Sequence, residues 1–164
     1  MIQQIAVIGS GTMGNGIAHV FAQNGYKVSL IDVDQQALVR ALETISKNLD
    51  RLIKKEKITE EDKQKTLANI ATFNGDEKGS AVAKGASNAD LVIEAATENP
   101  EIKFKIFREL DEVCKPGCIL ATNTSSISIT KIAAQTNRPE KVIGMHFMNP
   151  VPIMQLVEVI TGYK

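Results

Sequence analysis

The sequence has 164 residues, the size of one ordinary domain, large enough to bury roughly two-thirds of its unfolded surface. Hydrophobic residues make up 43% and charged residues 23%, and 19 Lys and Arg are balanced by 19 Asp and Glu. That balance excludes a global field favouring nucleic acid or an anionic membrane, so any anion must be held by local geometry.

The start, MIQQIAVIGSG, lacks a basic region followed by a long apolar segment, which argues against a signal peptide. No apolar run approaches the roughly 18 residues of a membrane span, and a cytoplasmic protein is expected. Residues 5–8 form a buried-strand run followed at once by glycines. From 13 to 24, Met13, Ile17, Val20 and Phe21 recur at helical spacing, and Asn24-Gly25 stops the helix. Residues 27–31 read as a second strand ending at Asp32, after which Asp34 caps a long helix to about residue 56. Thr59-Glu60-Glu61-Asp62 resembles a capping box with Asp in place of Glu and opens a helix to about residue 68. Residues of about 34–68 read as a helical insertion into the leanest form of such a fold. Further strands are expected near 70–73, 91–95, 119–122, 142–147 and 156–160, with a helix over 100–113 starting on Pro100. Cys114 and Cys118 flank a Lys-Pro-Gly turn; reduced, partly buried thiols are expected, and no metal site, for want of nearby Cys or His partners.

Repeated strand–helix–strand units imply an α/β fold, a doubly wound, mostly parallel sheet covered on both faces. Gly9-Ser10-Gly11-Thr12-Met13-Gly14 fits G-x-G-x-x-G, a weak signal alone. Its setting makes it strong: it follows a strand, opens a helix and precedes by 18 residues an acid, Asp32, at the end of the next strand. That is the Rossmann arrangement. Gly9 serves the tight turn, Gly11 lets a pyrophosphate approach the backbone, and Gly14 lets the helix pack on the strand. The helix start offers unpaired N–H groups and partial positive charge. Asp32 is expected to accept from adenosine ribose hydroxyls and to repel a 2′-phosphate, favouring NAD over NADP.

The segment Gly144-Met145-His146-Phe147-Met148-Asn149-Pro150-Val151-Pro152 ends an apolar strand where open α/β sheets place ligands. Twelve residues after His146, Glu158 interrupts an apolar run, and a carboxylate there costs several kcal/mol unless partnered. Strands flanking the Pro-rich turn would bring Glu158 to His146 as a catalytic pair. The plainer alternative is an outward-facing Glu and a hydrogen-bonded core His. His19, on the first helix, reads as a packing residue.

GSGTMGNGIA, the Asp32 strand end, EAATEN, ATNTSS, GMHFMNPVP and LVEV occur in an order that resembles the 3-hydroxyacyl-CoA dehydrogenases, including bacterial 3-hydroxybutyryl-CoA dehydrogenases. The resemblance covers essentially the whole chain. It implies NAD as cofactor and an acyl-CoA substrate oxidised at its 3-hydroxyl. By the same resemblance His146 is the acid–base residue and Glu158 the acid that orients it. Ser125 matches a serine near the substrate oxygen and the nicotinamide, and Asn149 a polar residue on the nicotinamide side. Glu98 and Lys103 match positions near the ribose at that end. Lys55 aligns with a lysine that contacts coenzyme A phosphate, and Asn48 stands where relatives carry a serine. Each has a plainer reading: Ser125 as cap of a helix beginning near Ile127, Asn149 as a turn residue, Glu98 and Lys103 as solvated helix-end charges, and 51–57 as a solvated helix face. Relatives continue into a helical domain that supplies the homodimer interface and closes over the acyl group; that domain is not in this sequence. The competing readings are a free-acid β-hydroxyacid dehydrogenase, which uses a lysine base, a non-enzymatic NAD-binding relative such as certain lens crystallins, and a domain that binds NAD without turnover.

Overall fold

The computed structural model describes residues 1–75 and 80–163. Seven strands form one sheet in the order β3-β2-β1-β4-β5-β6-β7. They are β1 (Gln4–Ile8), β2 (Lys27–Asp32), β3 (Ile70–Asn74), β4 (Leu91–Glu94), β5 (Ile119–Thr122), β6 (Val142–Phe147) and β7 (Val157–Thr161). The first six are parallel and β7 runs antiparallel to β6. The strand order reverses between β1 and β4, which is where such sheets open a crevice for a dinucleotide.

Alternation along the strands builds a core on each face. Ile5 and Val7 of β1 pack with Ile17, Ala18 and Ala22 of α1 (Thr12–Gln23) and with Leu38 and Ala41 of α2 (Gln35–Lys54). Ala6 and Ile8 face the other way. They meet Ala81 and Ala86 of α4 (Ser80–Ala86), Phe107 and Leu110 of α5 (Pro100–Val113), and Ile129 and Ile132 of α6 (Ile129–Ala133). The crossover from β2 to β3 carries α2 and then α3 (Glu60–Ala68), and the Thr59–Asp62 capping box is formed in both directions.

Most element boundaries fall within two residues of the sequence expectation. The short helix α4 carries no expectation, because it is too short to show a stripe, and α6 only the expected start near Ile127. Small residues make α4 fit: a Cβ on Gly85 would stand 2.7 Å from Ile31 Cδ1. Ser125 does not cap a helix at Ile127; α6 begins two residues later, and its cap is Ser128, whose hydroxyl accepts from the Lys131 N–H. Cys114 and Cys118 are free thiols, both buried. No helix of the described residues is long and apolar enough to cross a membrane.

His19 is the one side chain whose buried polar atoms lack any partner among the described residues: both ring nitrogens are orphaned, at 1% residue exposure. Burial pushes its imidazole below the ordinary value of 6.5, only partly offset by Gln23 one turn on. The unfolded chain therefore takes up the proton first, and stability is lost as pH falls below about 6.5. An orphaned polar group costs about 1–3 kcal/mol. His19→Leu is expected to raise the thermal midpoint at neutral pH and to flatten its decline between neutral and mildly acid pH, measured by calorimetric melts of both forms. A lower midpoint for the variant would contradict this.

Candidate active site and dinucleotide site

The crevice begins at the turn between β1 and α1. Gly9 has φ +93°, a left-handed conformation that favours glycine, and a Cβ there would stand 2.6 Å from the Ala95 carbonyl oxygen. A Cβ on Gly14 would stand 1.7 Å from the Gly9 carbonyl oxygen. Gly11 differs from both. Nothing lies within 4 Å of the place its Cβ would take, so the fold itself does not require glycine there. What a Cβ would fill is open space beside the helix start. Unlike α2, α3, α5 and α6, α1 has no side-chain cap; its first turn also carries no acid. Its first N–H groups are thus left for an anion.

Asp32 ends β2 half-buried beside this loop. Its Oδ2 accepts from the Ser10 N–H and hydroxyl, both at 2.7 Å, and its Oδ1 from the Asp34 N–H at 2.9 Å. Three of the carboxylate's roughly four acceptor sites are filled, which fixes its orientation and leaves one on Oδ1. Ser10, buried, spends both its donors, N–H and hydroxyl, on Asp32.

On the other side of the switch point stands the imidazole. His146 and Glu158 are directly opposed residues of β6 and β7, so both side chains share one face of the antiparallel pair. His146 Nδ1 lies 2.9 Å from Glu158 Oε2, and its Nε2 lies 2.9 Å from Ser125 Oγ. The side chains are 25% and 52% exposed, so the pair is open to a ligand rather than sealed in the core. The reading of a core His and an unrelated outward Glu does not hold. An ionised carboxylate only accepts, so Nδ1 carries the proton and Nε2 turns its lone pair to the Ser125 hydroxyl.

Ser125 lies on the exposed loop after β5, between two residues that donate to Glu98: Thr124 Oγ1 to Oε1, and Ser126 Oγ to the same oxygen at 3.2 Å. Burial alone would push the Glu98 carboxyl up. The Thr124 hydroxyl, the Lys103 ammonium and the Ser126 hydroxyl outweigh burial and hold it below the ordinary carboxylate value. Lys103 is not a solvated helix-end charge: at 1% exposure it donates to Glu94 Oε1 at 2.7 Å and to the Ala96 carbonyl at 3.3 Å, with Glu98 Oε2 at 3.6 Å. Glu94 escapes a reading of the sequence, although a carboxylate closing the apolar run Leu91-Val92-Ile93 carries the same signal that marks Glu158.

Asn149 is exposed on the turn after β6, and the Asn149–Pro150 peptide is cis. That turn is locked onto α1, since a Cβ on Gly16 would stand 2.9 Å from Val151 Cβ. Asn48 and Lys55 are elsewhere. They lie about 20 and 30 Å along α2 from its first residue, at 1.5 Å per residue. Asn48 Oδ1 accepts from Arg51 at 3.3 Å, and Lys55 is exposed. With Arg40 and Thr44 they recur at helical spacing along one side of α2, and the first residues of that line border a cleft shared with Ser10, Gly11 and Thr12.

A crevice with a bare helix start on one side and a held imidazole on the other describes a class: domains that lay a dinucleotide over the carboxyl ends of a parallel sheet. Residues 4–164 match the family described as 3-hydroxyacyl-CoA dehydrogenase, NAD binding domain, and the chain belongs to it. It is 51% identical to a 3-hydroxybutyryl-CoA dehydrogenase of Bradyrhizobium diazoefficiens, over 99% of this chain and 53% of that protein. It is 47% identical to a 3-hydroxyadipyl-CoA dehydrogenase of Escherichia coli, over 98% of this chain and 32% of that one. The crystal structure of (S)-3-hydroxybutyryl-CoA dehydrogenase from Ralstonia eutropha superposes with a TM-score of 0.90 at 46% identity, over 99% of this chain and 55% of that chain. The chain therefore spans about half the length of the first two 3-hydroxybutyryl-CoA dehydrogenases it matches.

The two inner glycines are required by different things, and substitution separates them. Gly14→Ala forces a methyl into main chain and is expected to cost about 3 kcal/mol or more of stability. Gly11→Ala is expected to leave stability within about 1 kcal/mol while strongly weakening NADH binding by calorimetric titration. Undiminished NADH affinity in Gly11→Ala would remove the phosphate from that position.

Proposed function

We propose that this chain is the NAD-binding, acid–base half of a dehydrogenase that interconverts (S)-3-hydroxyacyl-CoA and 3-oxoacyl-CoA, with 3-hydroxybutyryl-CoA and acetoacetyl-CoA as the reacting pair. The observation that supports it best is the imidazole held at both nitrogens, with Nε2 facing an exposed hydroxyl. NAD, when bound, supplies the hydride acceptor for oxidation or the donor for reduction. Thr12, Met13 and Gly14 N–H groups hold its pyrophosphate, and Asp32 the adenosine ribose. Glu98, Ser125 and Asn149, on the turns after β4, β5 and β6, would hold the nicotinamide half.

His146 Nε2 takes the proton of the substrate's 3-hydroxyl during oxidation and returns it during reduction. Glu158 fixes the tautomer and balances the imidazolium. Ser125 donates to the same substrate oxygen. Asn48 and Lys55, with the basic line along α2, serve the phosphates of coenzyme A. Homodimerisation and closure over the acyl group fall to the other half of the enzyme, which also selects chain length: relatives of nearly equal identity bear the names of different acyl-CoA substrates.

The order Ser125–His146–Glu158 is also that of a hydrolytic triad. Its neighbourhood argues against hydrolysis. The Ser126 and Ile127 N–H groups donate to Thr124 Oγ1 at 3.3 and 3.0 Å, and the Phe147 N–H to Asn123 Oδ1 at 2.8 Å, so these three neighbours of the pair are not free to stabilise an oxyanion.

Joined to the carboxyl-terminal half of a 3-hydroxybutyryl-CoA dehydrogenase relative, the chain is expected to oxidise NADH with acetoacetyl-CoA. His146→Gln is expected to lower kcat by about 10²–10⁴; equal rates would remove His146 from the mechanism. In calorimetric titrations NADH is expected to bind more tightly than NADPH, and Asp32→Ala to narrow the gap. Tighter NADPH binding by the unaltered chain would refute the role of Asp32.

A further inference from the structure

Glu94 ends β4 at the switch point with no exposed surface. Its Oε1 accepts from Lys103 Nζ and from the Ala96 N–H, both at 2.7 Å, and its Oε2 from Thr122 Oγ1 at 2.7 Å. The contacts then run outward and return. Thr122 Oγ1 accepts from the Thr124 N–H at 3.3 Å, Thr124 Oγ1 donates to Glu98, and Glu98 faces Lys103, which rests on Glu94. Glu94, Thr122, Thr124, Glu98 and Lys103 form a closed polar circuit joining the loop after β4 to the loop after β5. Ser125 is carried on that circuit between Thr124 and Ser126. Stability alone gives no reason for a fully buried Glu–Lys pair, since an apolar pair of similar volume serves as well or better.

We propose that Glu94 is a positioning residue for the nicotinamide half of the cofactor, presetting Glu98 and Ser125 through Lys103 and Thr122 before the ligand arrives. The inference rests on the reading that this half lies over β4 and β5. Lys103 spends its ammonium on Glu94 and the Ala96 carbonyl, so its influence on the cofactor passes through Glu98. With Glu94 as counter-charge, Lys103 stays in place when Glu98 turns to a ribose hydroxyl. Preorganisation of this kind lowers the ordering cost of binding.

The test compares NADH with ADP, which lacks both the distal ribose and the nicotinamide, by calorimetric titration of this chain. Glu94→Gln keeps the shape and removes the charge; Thr122→Val opens the circuit at the opposite arm and decides the matter should Glu94→Gln fail to fold. Either variant is expected to raise the Kd of NADH about tenfold, the size of one lost charge-assisted hydrogen bond, and to leave ADP within about twofold. Equal weakening of both ligands would reduce Glu94 to a structural part and overturn the proposal, as would an unchanged NADH affinity. Failure of the unaltered chain to bind NADH would instead sink the cofactor reading on which the proposal stands.

Discussion

The start of α1 lies so close to the turn that feeds it that a methyl group on Gly14 would stand 1.7 Å from the Gly9 carbonyl oxygen. This approach fixes the direction of α1, and with it the aim of the helix N–H groups across the ends of β1 and β4. The second close contact is Gly16 against Val151, which ties the same helix to the turn after β6. One rigid helix therefore references both halves of the site. The glycine loop is its amino terminus, and the strand that carries His146 ends against its flank. A wider spacing at either contact would shift the anion site relative to the imidazole, and displacements of about 1 Å are enough to cost 10²-fold in rate.

Charge is distributed to match. One side of the switch point carries Asp32, held by Ser10, and the other carries Glu94 and Glu98 around the buried Lys103, and Glu158 against His146. The net neutral sequence thus conceals strong local order. Three carboxylates within reach of one lysine and one imidazole are tolerable because each has named donors. The more deeply buried of them, Glu94, has the most complete set. Glu158, on an exposed edge strand, needs only His146. Polar groups at the carboxyl ends of the strands are the part of the fold where burial and function pull against each other, and hydrogen-bond satisfaction reconciles them.

Much of this was legible in the sequence because the signals are local. A strand, a glycine turn and a helix lie within residues 5–23; the acid at the next strand end follows at a fixed interval; and His146 and Glu158 are separated by a turn short enough that antiparallel pairing opposes them. Family resemblance then attached roles to Ser125, Asn149, Glu98 and Lys103. Illegible were α4, too short to display periodicity, the bounds of α6, and the partners of Glu94, which come from α5 and from the next strand. Lys103 reads as a helix-surface charge because nothing in its neighbourhood along the chain shows that α5 turns it inward onto a carboxylate.

The sequence by itself determined the strand and helix order, the glycine turn and the His146–Glu158 pair, since each arises from residues close along the chain or from an alternation that any parallel sheet must satisfy. Tertiary structure alone decided that Ser10 orients Asp32, that Val151 anchors to Gly16, and that five side chains from β4, α5, β5 and their loops close into one circuit. Those contacts join segments far apart in sequence, whose meeting depends on how the sheet orders its strands and how closely the helices settle on it.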